Sequence, residues 1–307
     1  MDNLTHSLVG AVLGRMGLKR LSPRAMPALI IAANLPDIDS FIAKPLGLSP
    51  RTFHRGFTHG IGGLVTMPVL AVAIILLWEK LRPGKEGPLK LGGLLLACVL
   101  GFLSHPALDF LNTYGVRLLE PFSHRWFYGD TLFIVDPWIW LMLILGLEFS
   151  WRAERLGRNW QRPAAYAFCA MLAYIGVNAA ISVRAADAAR PLVQRIGQPS
   201  MIVAGEVPLE FWKRQVMWRT DKLSGTADYD VFRNAARLDP KALPLDLNDP
   251  RLAEAARTDP DVCNFLFWSR MPLVLNLDGK AYLSDQRFPA LRRTTFMVPL
   301  DKRSMNS

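Results

Sequence analysis

Histidine is scarce in this chain and stops early. Only five occur in 307 residues, at positions 6, 54, 59, 105 and 124. Cysteine is scarcer still: three residues make no framework, since Cys98 and Cys169 lie inside apolar segments and Cys263 stands alone, so no disulfide is expected. Neither a Gly-x-Ser-x-Gly elbow nor a phosphate loop is present, which removes the serine-hydrolase and nucleotide-hydrolase readings that depend on them. A basic leader is missing too. The chain opens Met-Asp-Asn, and its first apolar stretch contains His6 and Arg15, so no cleavable signal peptide is expected.

Apolar residues are plentiful. They make up 51% of the chain and are concentrated before residue 184. The net charge of +10 would suit a nucleic-acid binder. However, the basic residues fall in short clusters between apolar segments, the distribution of a membrane protein. Six such segments are legible, at 4–17, 25–35, 61–78, 91–108, 132–149 and 163–183. The first is shorter than the roughly 20 residues a full span needs, so it is expected to be short or tilted within a bundle. The basic loops are 15–24, 79–90 and 148–162. Placing all three in the cytoplasm sends loops 36–60 and 109–131, the N-terminus and everything after 183 to the opposite side. Every histidine then falls on that side, although Lys and Arg alone decide the assignment. The bias is moderate, because Lys44, Arg51, Arg55, Arg117 and Arg125 lie in the outer loops.

The expected fold is thus an α-helical integral membrane bundle of about six apolar segments over 1–183, followed by a small, strand-rich α+β soluble domain over 184–307. Strand candidates in the second part are Gln215 to Thr220, Tyr229 to Phe232, Phe265 to Phe267, Leu273 to Leu277, Ala281 to Leu283 and Thr294 to Val298. Turns are expected at Leu223-Ser224-Gly225 and at Asn276-Leu277-Asp278-Gly279, and a helix over 249–258.

The histidines carry the chemistry. His105 and Asp109 are four apart, which on a helix places them one turn apart on one face; Pro106 between them leaves a helix start as the alternative. Imidazole with carboxylate suits zinc, manganese or iron. Asp37 and Asp39 flank Ile38 at the end of an apolar segment, where two carboxylates repel unless a cation neutralises them. One could bind a metal while the other orients a histidine. His54 and His59 are five apart and can act together only if the chain bends at Gly56. Arg55 between them could hold an anionic substrate group such as a phosphate. With His6, which opens the first segment, the candidate metal ligands are His6, Asp37, Asp39, His54, His59, His105 and Asp109. Seven exceed the three protein ligands of one catalytic zinc, so two cations sharing carboxylates are plausible. Arg55, His124 and Asp130 are the candidate catalytic residues outside the ligand set.

These motifs carry a resemblance. Asn3-Leu4-Thr5-His6-Ser7, Leu35-Pro36-Asp37-Ile38-Asp39, His54-Arg55-Gly56-Phe57-Thr58-His59, His105-Pro106-x-x-Asp109 and Tyr128-Gly129-Asp130 to Asp136-Pro137-Trp138 together resemble the YdjM-type inner-membrane proteins of bacteria. More weakly, Arg219-Thr220-Asp221 and Asp285-Gln286-Arg287-Phe288 are similar to that family's tail. The resemblance implies a membrane-bound metal-dependent hydrolase of the bacterial inner membrane and does not imply a substrate.

Taken together, the residues suggest a multi-pass membrane hydrolase with its C-terminal domain on the side opposite the cytoplasm, and the resemblance implies that the membrane is the bacterial inner membrane and that side the periplasm. One or two divalent cations, zinc by ligand type, would activate water for ester or phosphoester cleavage in a lipid or lipid-linked substrate. No nucleic-acid partner is expected. The alternative is a metal-binding membrane protein without catalysis, a transporter or an assembly factor. A transporter should set ionisable groups mid-span along a path. Here they gather near segment ends, with Asp136 as the main exception.

Overall fold

The computed structural model describes residues 1–277, 279–288 and 296–300. They divide into two compact units, one formed by residues 1–42, 54–180 and 208–211, the other by residues 43–53, 181–207 and 212–307.

The first unit is helical. All six apolar segments form helices: α1 (Asn3–Arg15), α2 (Ala25–Asn34), α5 (Ile61–Leu81), α6 (Leu91–Phe110), α7 (Pro137–Arg155) and α8 (Gln161–Gln194). A 3-10 turn at Leu35–Ile38 and the short α3 (Asp39–Ile42) continue α2. Two of these starts are set by acids. Asp2 accepts from the backbone N–H of Leu4 and Thr5, and Asp136 accepts from Trp138 and Ile139, with Pro137 preset for the first helical position. Among the described residues, four helical stretches are long and apolar enough to cross a membrane: Ala25–Ile42, Ile61–Leu81, Leu91–Phe110 and Gln161–Gln194. α1 has 13 residues, and α7 carries Glu148, Arg152, Glu154 and Arg155 toward its end. The expected six spans therefore reduce to four that meet both criteria.

Packing centres on α2, which lies against both α1 and α6. Small residues make this approach close. A Cβ built on Gly101 would sit 2.6 Å from the Leu29 carbonyl oxygen, so only glycine lets α6 reach α2 there. Val9 and Val12 of α1 are buried with Leu108, Leu132, Ile139 and Leu143; Ala28 and Ala32 of α2 are buried with Ala71, Ile75, Leu94 and Cys98. On the outside, Val65, Val69, Leu77, Leu141 and Val177 are exposed, the surface that a lipid environment covers.

The second unit holds two antiparallel sheets. One runs β1 (Met201–Glu206), β2 (Lys213–Arg219), β3 (Leu223–Asp230) and β4 (Ala235–Leu238), with β5 (Leu243–Pro244) also on β3; the other runs β6 (Pro272–Leu277), β7 (Lys280–Asp285) and β8 (Met297–Pro299). Helices α4 (Pro50–Phe53), α9 (Pro250–Thr258) and α10 (Pro260–Trp268) complete it. The β2–β3 hairpin, the β6–β7 hairpin and the helix near 249–258 match expectation. Phe265 to Phe267 does not, being helical within α10. Asp259 caps that helix, Pro260 starts it, and Val262, Phe265 and Trp268 bury one face at a spacing of three. A three-residue apolar run cannot distinguish helix from strand. The turn expected at Leu223 to Gly225 also falls earlier, because Leu223 already begins β3 and Thr220 N–H donates to the Leu223 carbonyl. Asp278, Thr294 and Thr295 lie outside the described residues.

Candidate metal centre

Four segments of the helical unit deliver the site. α1 presents His6, the 3-10 turn and α3 present Asp37 and Asp39, the loop before α5 presents His54 to His59, and α6 presents His105 and Asp109. Pro106 lies inside α6 without ending it, so His105 and Asp109 do share one helical face. The loop bends at Gly56 as expected, and Arg55 just before it has a left-handed backbone (φ +57°); the chain then closes a turn in which His59 and Gly60 donate to the Gly56 carbonyl.

One group of donors is Asp37, His59, His105 and Asp109. The Nε2 atoms of His59 and His105 face each other at 3.0 Å. His59 Nε2 stands 3.5 Å from Asp37 Oδ1 and 3.4 Å from Asp109 Oδ2, and His105 Nε2 stands 3.5 Å and 3.6 Å from the same two oxygens. Four donor atoms held about 2.1 Å from one tetrahedral cation would lie roughly 3.4 Å apart. The observed separations of 3.0–3.6 Å fit that set. A second group, Asp37, Asp39 and His54, shares Asp37 with the first.

Hydrogen bonds outside the cluster fix how the rings present their nitrogens. His105 Nδ1 lies 2.6 Å from the Ala33 carbonyl, which can only accept, so Nδ1 carries the proton and the neutral ring turns the Nε2 lone pair inward. His59 Nδ1 is taken up on the far side by Thr58 Oγ1 at 2.9 Å and Asp39 Oδ2 at 3.4 Å, leaving Nε2 toward the cluster. Asp39 is itself held in place: Arg55 N–H (3.1 Å) and Thr58 O–H (2.7 Å) donate to Oδ2, and His54 Nδ1 stands 2.7 Å from Oδ1.

The lone pairs that remain suit a cation. Both ring nitrogens of His6 and Asp109 Oδ2 are buried without a hydrogen-bond partner. The His6 ring stacks on His105 with centroids 3.8 Å apart, and its Nε2 lies 3.4 Å from Asp109 Oδ1. Arg55 Nε approaches Asp109 Oδ2 at 3.0 Å, and the Met1 ammonium pairs with Oδ1. Burial alone would lower the pKa of His59, but hydrogen bonds to Asp109, Asp37 and Asp39 overcome it and raise the value to about 10. The protonated His59 ring thereby supplies positive charge among these carboxylates. A buried Asp/His set of this kind could bind a metal ion, and its donors do not identify which one.

The seven expected ligands therefore come together: six fall in the two donor groups, and His6 stacks behind them. Of the expected catalytic residues, Arg55 lies against Asp109, donates to Asn112 Oδ1 at 2.8 Å and stacks on Tyr114. His124 and Asp130 contribute to neither group. His124 is exposed, with Nδ1 2.8 Å from the carboxylate of Glu120, which also accepts from Arg117. Asp130 takes a left-handed backbone (φ +48°) in the loop before α7. Sequence reasoning misses Thr58, Asn112, Glu120 and the Ala33 carbonyl. Thr58 is open to notice, since it adjoins His59; the others are brought near only by folding.

Comparison with known proteins places these motifs in context. The family model described as YdjM inner membrane protein matches residues 1–185. The chain is 31% identical over 179 residues to the inner membrane protein YbcI of Escherichia coli, covering 48% of this chain and 96% of that one. It is 28% identical over 151 residues to the uncharacterized protein YfhP of Bacillus subtilis, covering 46% and 43% respectively. It is 36% identical over 111 residues to the inner membrane protein YdjM of Escherichia coli, covering 33% and 50%. The chain thus spans half or less of the length of YfhP and of YdjM. No solved structure matches.

Proposed function

We propose, for a chain that belongs to the YdjM inner membrane protein family, a membrane-bound hydrolase that uses one or two divalent cations to cleave an ester or phosphoester of a lipid or lipid-linked substrate. The observation that carries this reading is the inward-facing donor set of Asp37, His59, His105 and Asp109, at separations suited to one cation. Asp37, Asp39 and His54 would hold a second cation. Zinc is the first candidate by ligand type. A divalent cation bound there supplies Lewis acidity and brings the pKa of water toward about 7.

The chain's own residues do the rest. The Ala33 carbonyl and Thr58 hold the two imidazoles in the ligating orientation. Arg55 lies beside Asp109 and offsets carboxylate charge; with its guanidinium at the cluster, it is also the residue to receive an anionic group of the substrate. His124, exposed beside Glu120, is the further catalytic candidate. The family and the four candidate spans support a multi-pass location in the inner membrane. The basic loops support an orientation with the donor cluster and the C-terminal unit on the periplasmic side.

The test is metal content of the detergent-purified full chain, followed by turnover on a panel of phosphomonoesters, phosphodiesters and lipid esters. His54→Ala with His59→Ala should remove both metal and turnover. Bound metal without turnover on any substrate would favour the non-catalytic alternative. Metal content unchanged in the double variant would place the site elsewhere.

A further inference from the structure

A second feature of the helical unit stands apart from the donor cluster. The end of α7 and the start of α8 enclose a groove of about 820 Å³. The two helices touch closely where a Cβ on Gly146 would meet the Ala167 Cβ at 2.2 Å, so small residues give the groove its depth. Its walls include Leu145, Phe149 and Tyr166, all exposed. Its rim carries Arg152, Arg158 and Arg162. Nearby acids are engaged elsewhere: Glu148 pairs with Arg152, and Glu154 takes both Arg15 and Lys19. No acid pairs with Arg158 or Arg162 among the described residues, and both are exposed.

We infer that this groove binds one anionic phospholipid, with an acyl chain along Leu145, Phe149 and Tyr166 and its phosphate at Arg158 and Arg162. The argument is charge complementarity joined to shape. The groove continues the exposed apolar surface of α7 and α8, and an acyl chain matches its apolar walls. Two exposed guanidiniums at the mouth provide bidentate donors for a phosphate, and basic pockets between helices on the positive side of a membrane protein are where anionic headgroups bind. The groove opens among the 148–162 arginines, away from the α7 start that Asp136 caps, so it is an accessory site independent of the hydrolase reading.

The experiment is native mass spectrometry of the full chain released from nanodiscs of phosphatidylcholine and phosphatidylglycerol in equal parts. The wild type should retain phosphatidylglycerol selectively, at about one per chain. Arg158→Gln with Arg162→Gln should lower that preference about 30-fold, the combined effect of two arginines near an anionic surface. Arg158→Lys with Arg162→Lys should keep most of it, which guards against misfolding as the cause. Equal retention of phosphatidylglycerol in the glutamine variant would overturn the proposal. So would displacement of the lipid by inorganic phosphate alone, since that would make the arginines a simple anion site.

Discussion

Two buried charge clusters, one in each unit, follow opposite rules. In the second unit, Asp285 is fully enclosed and fully bonded. Its Oδ1 accepts from Arg287 N–H and Nε, and its Oδ2 from Arg287 Nη2, Ser269 O–H and Met271 N–H. Burial would raise its pKa, but Arg287 holds it below the usual carboxylate range. Beside it, Arg219 donates to Gln286 and to the Pro272 carbonyl. Nothing in that arrangement asks for a ligand. In the helical unit, Asp109 is equally buried but keeps Oδ2 without a hydrogen bond, two histidine nitrogens face each other across 3.0 Å, and His6 has neither nitrogen satisfied. Buried polar groups are paired as a rule, so the exceptions set the helical unit's cluster apart from the closed network of the second unit.

The sharpest way to break this contrast is to neutralise each acid in turn. Asp109→Asn should abolish metal retention in detergent-purified protein, because it removes a donor and leaves Arg55 facing an amide. Asp285→Asn should leave metal content unchanged and instead cost about 3 kcal/mol or more of stability, the range for breaking one side of a buried ion pair. Metal content and denaturant midpoints of both variants check the pair. Should Asp109→Asn keep its metal, or Asp285→Asn lose it, the two clusters would not differ in the way their bonding suggests.

Much of the donor set is legible in the sequence. Helical spacing joins His105 to Asp109, and a shared place after an apolar segment joins Asp37 to Asp39. The hydrogen-bond frame is not legible there. The Ala33 carbonyl lies 72 positions from His105, and its contact exists only because glycine lets α6 approach α2. The bend falls at Gly56 as expected, but the left-handed backbone just before it, at Arg55, is not legible, since glycine is the default for such a conformation. There the surrounding bonds, including Arg55 N–H to Asp39 and Arg117 N–H to the Arg55 carbonyl, fix an arginine in the left-handed conformation. The strand expected at Phe265 to Phe267 is helix for a different reason: the Asp259-Pro260 start signal lies outside the apolar run that suggests a strand.

A pH experiment sharpens the contrast further. In chelator-treated protein, His59 is held near pKa 10 against an ordinary 6.5. A raised pKa in the folded state means that the charged form stabilises the fold fully below 6.5, and that this stabilisation is lost as pH rises through about 10. A bound cation takes over the neutralising role and requires His59 without its extra proton. Melting temperature should therefore fall between pH 7 and pH 10 in the chelator-treated protein, and fall less in the loaded one. Parallel curves would show that no proton at the cluster is exchanged for metal.

The smallest effect is expected at Asp136, which tests whether bonding or location decides an acid's role. Like Asp109, it is a buried acid of the helical unit. Unlike Asp109, it has its oxygens occupied: Oδ1 by the N–H groups of Trp138 and Ile139, and Oδ2 by the Tyr174 hydroxyl. In the sequence it is the acid nearest a mid-span position, and so the main support for a transporter. In the fold it is the N-cap of α7, where a carboxylate meets the positive end of the helix dipole. Asparagine caps nearly as well and can still accept from the same N–H groups, so Asp136→Asn should lose only the charge contribution, about 0.5 kcal/mol. Metal content should not change. A melting temperature close to wild type with full metal occupancy would place Asp136 with Asp285 as a closed structural acid, although it shares its unit with Asp109. Loss of metal in that variant would mean that the helical unit couples its acids through a path the hydrogen bonds do not reveal, and the transporter reading would regain its argument.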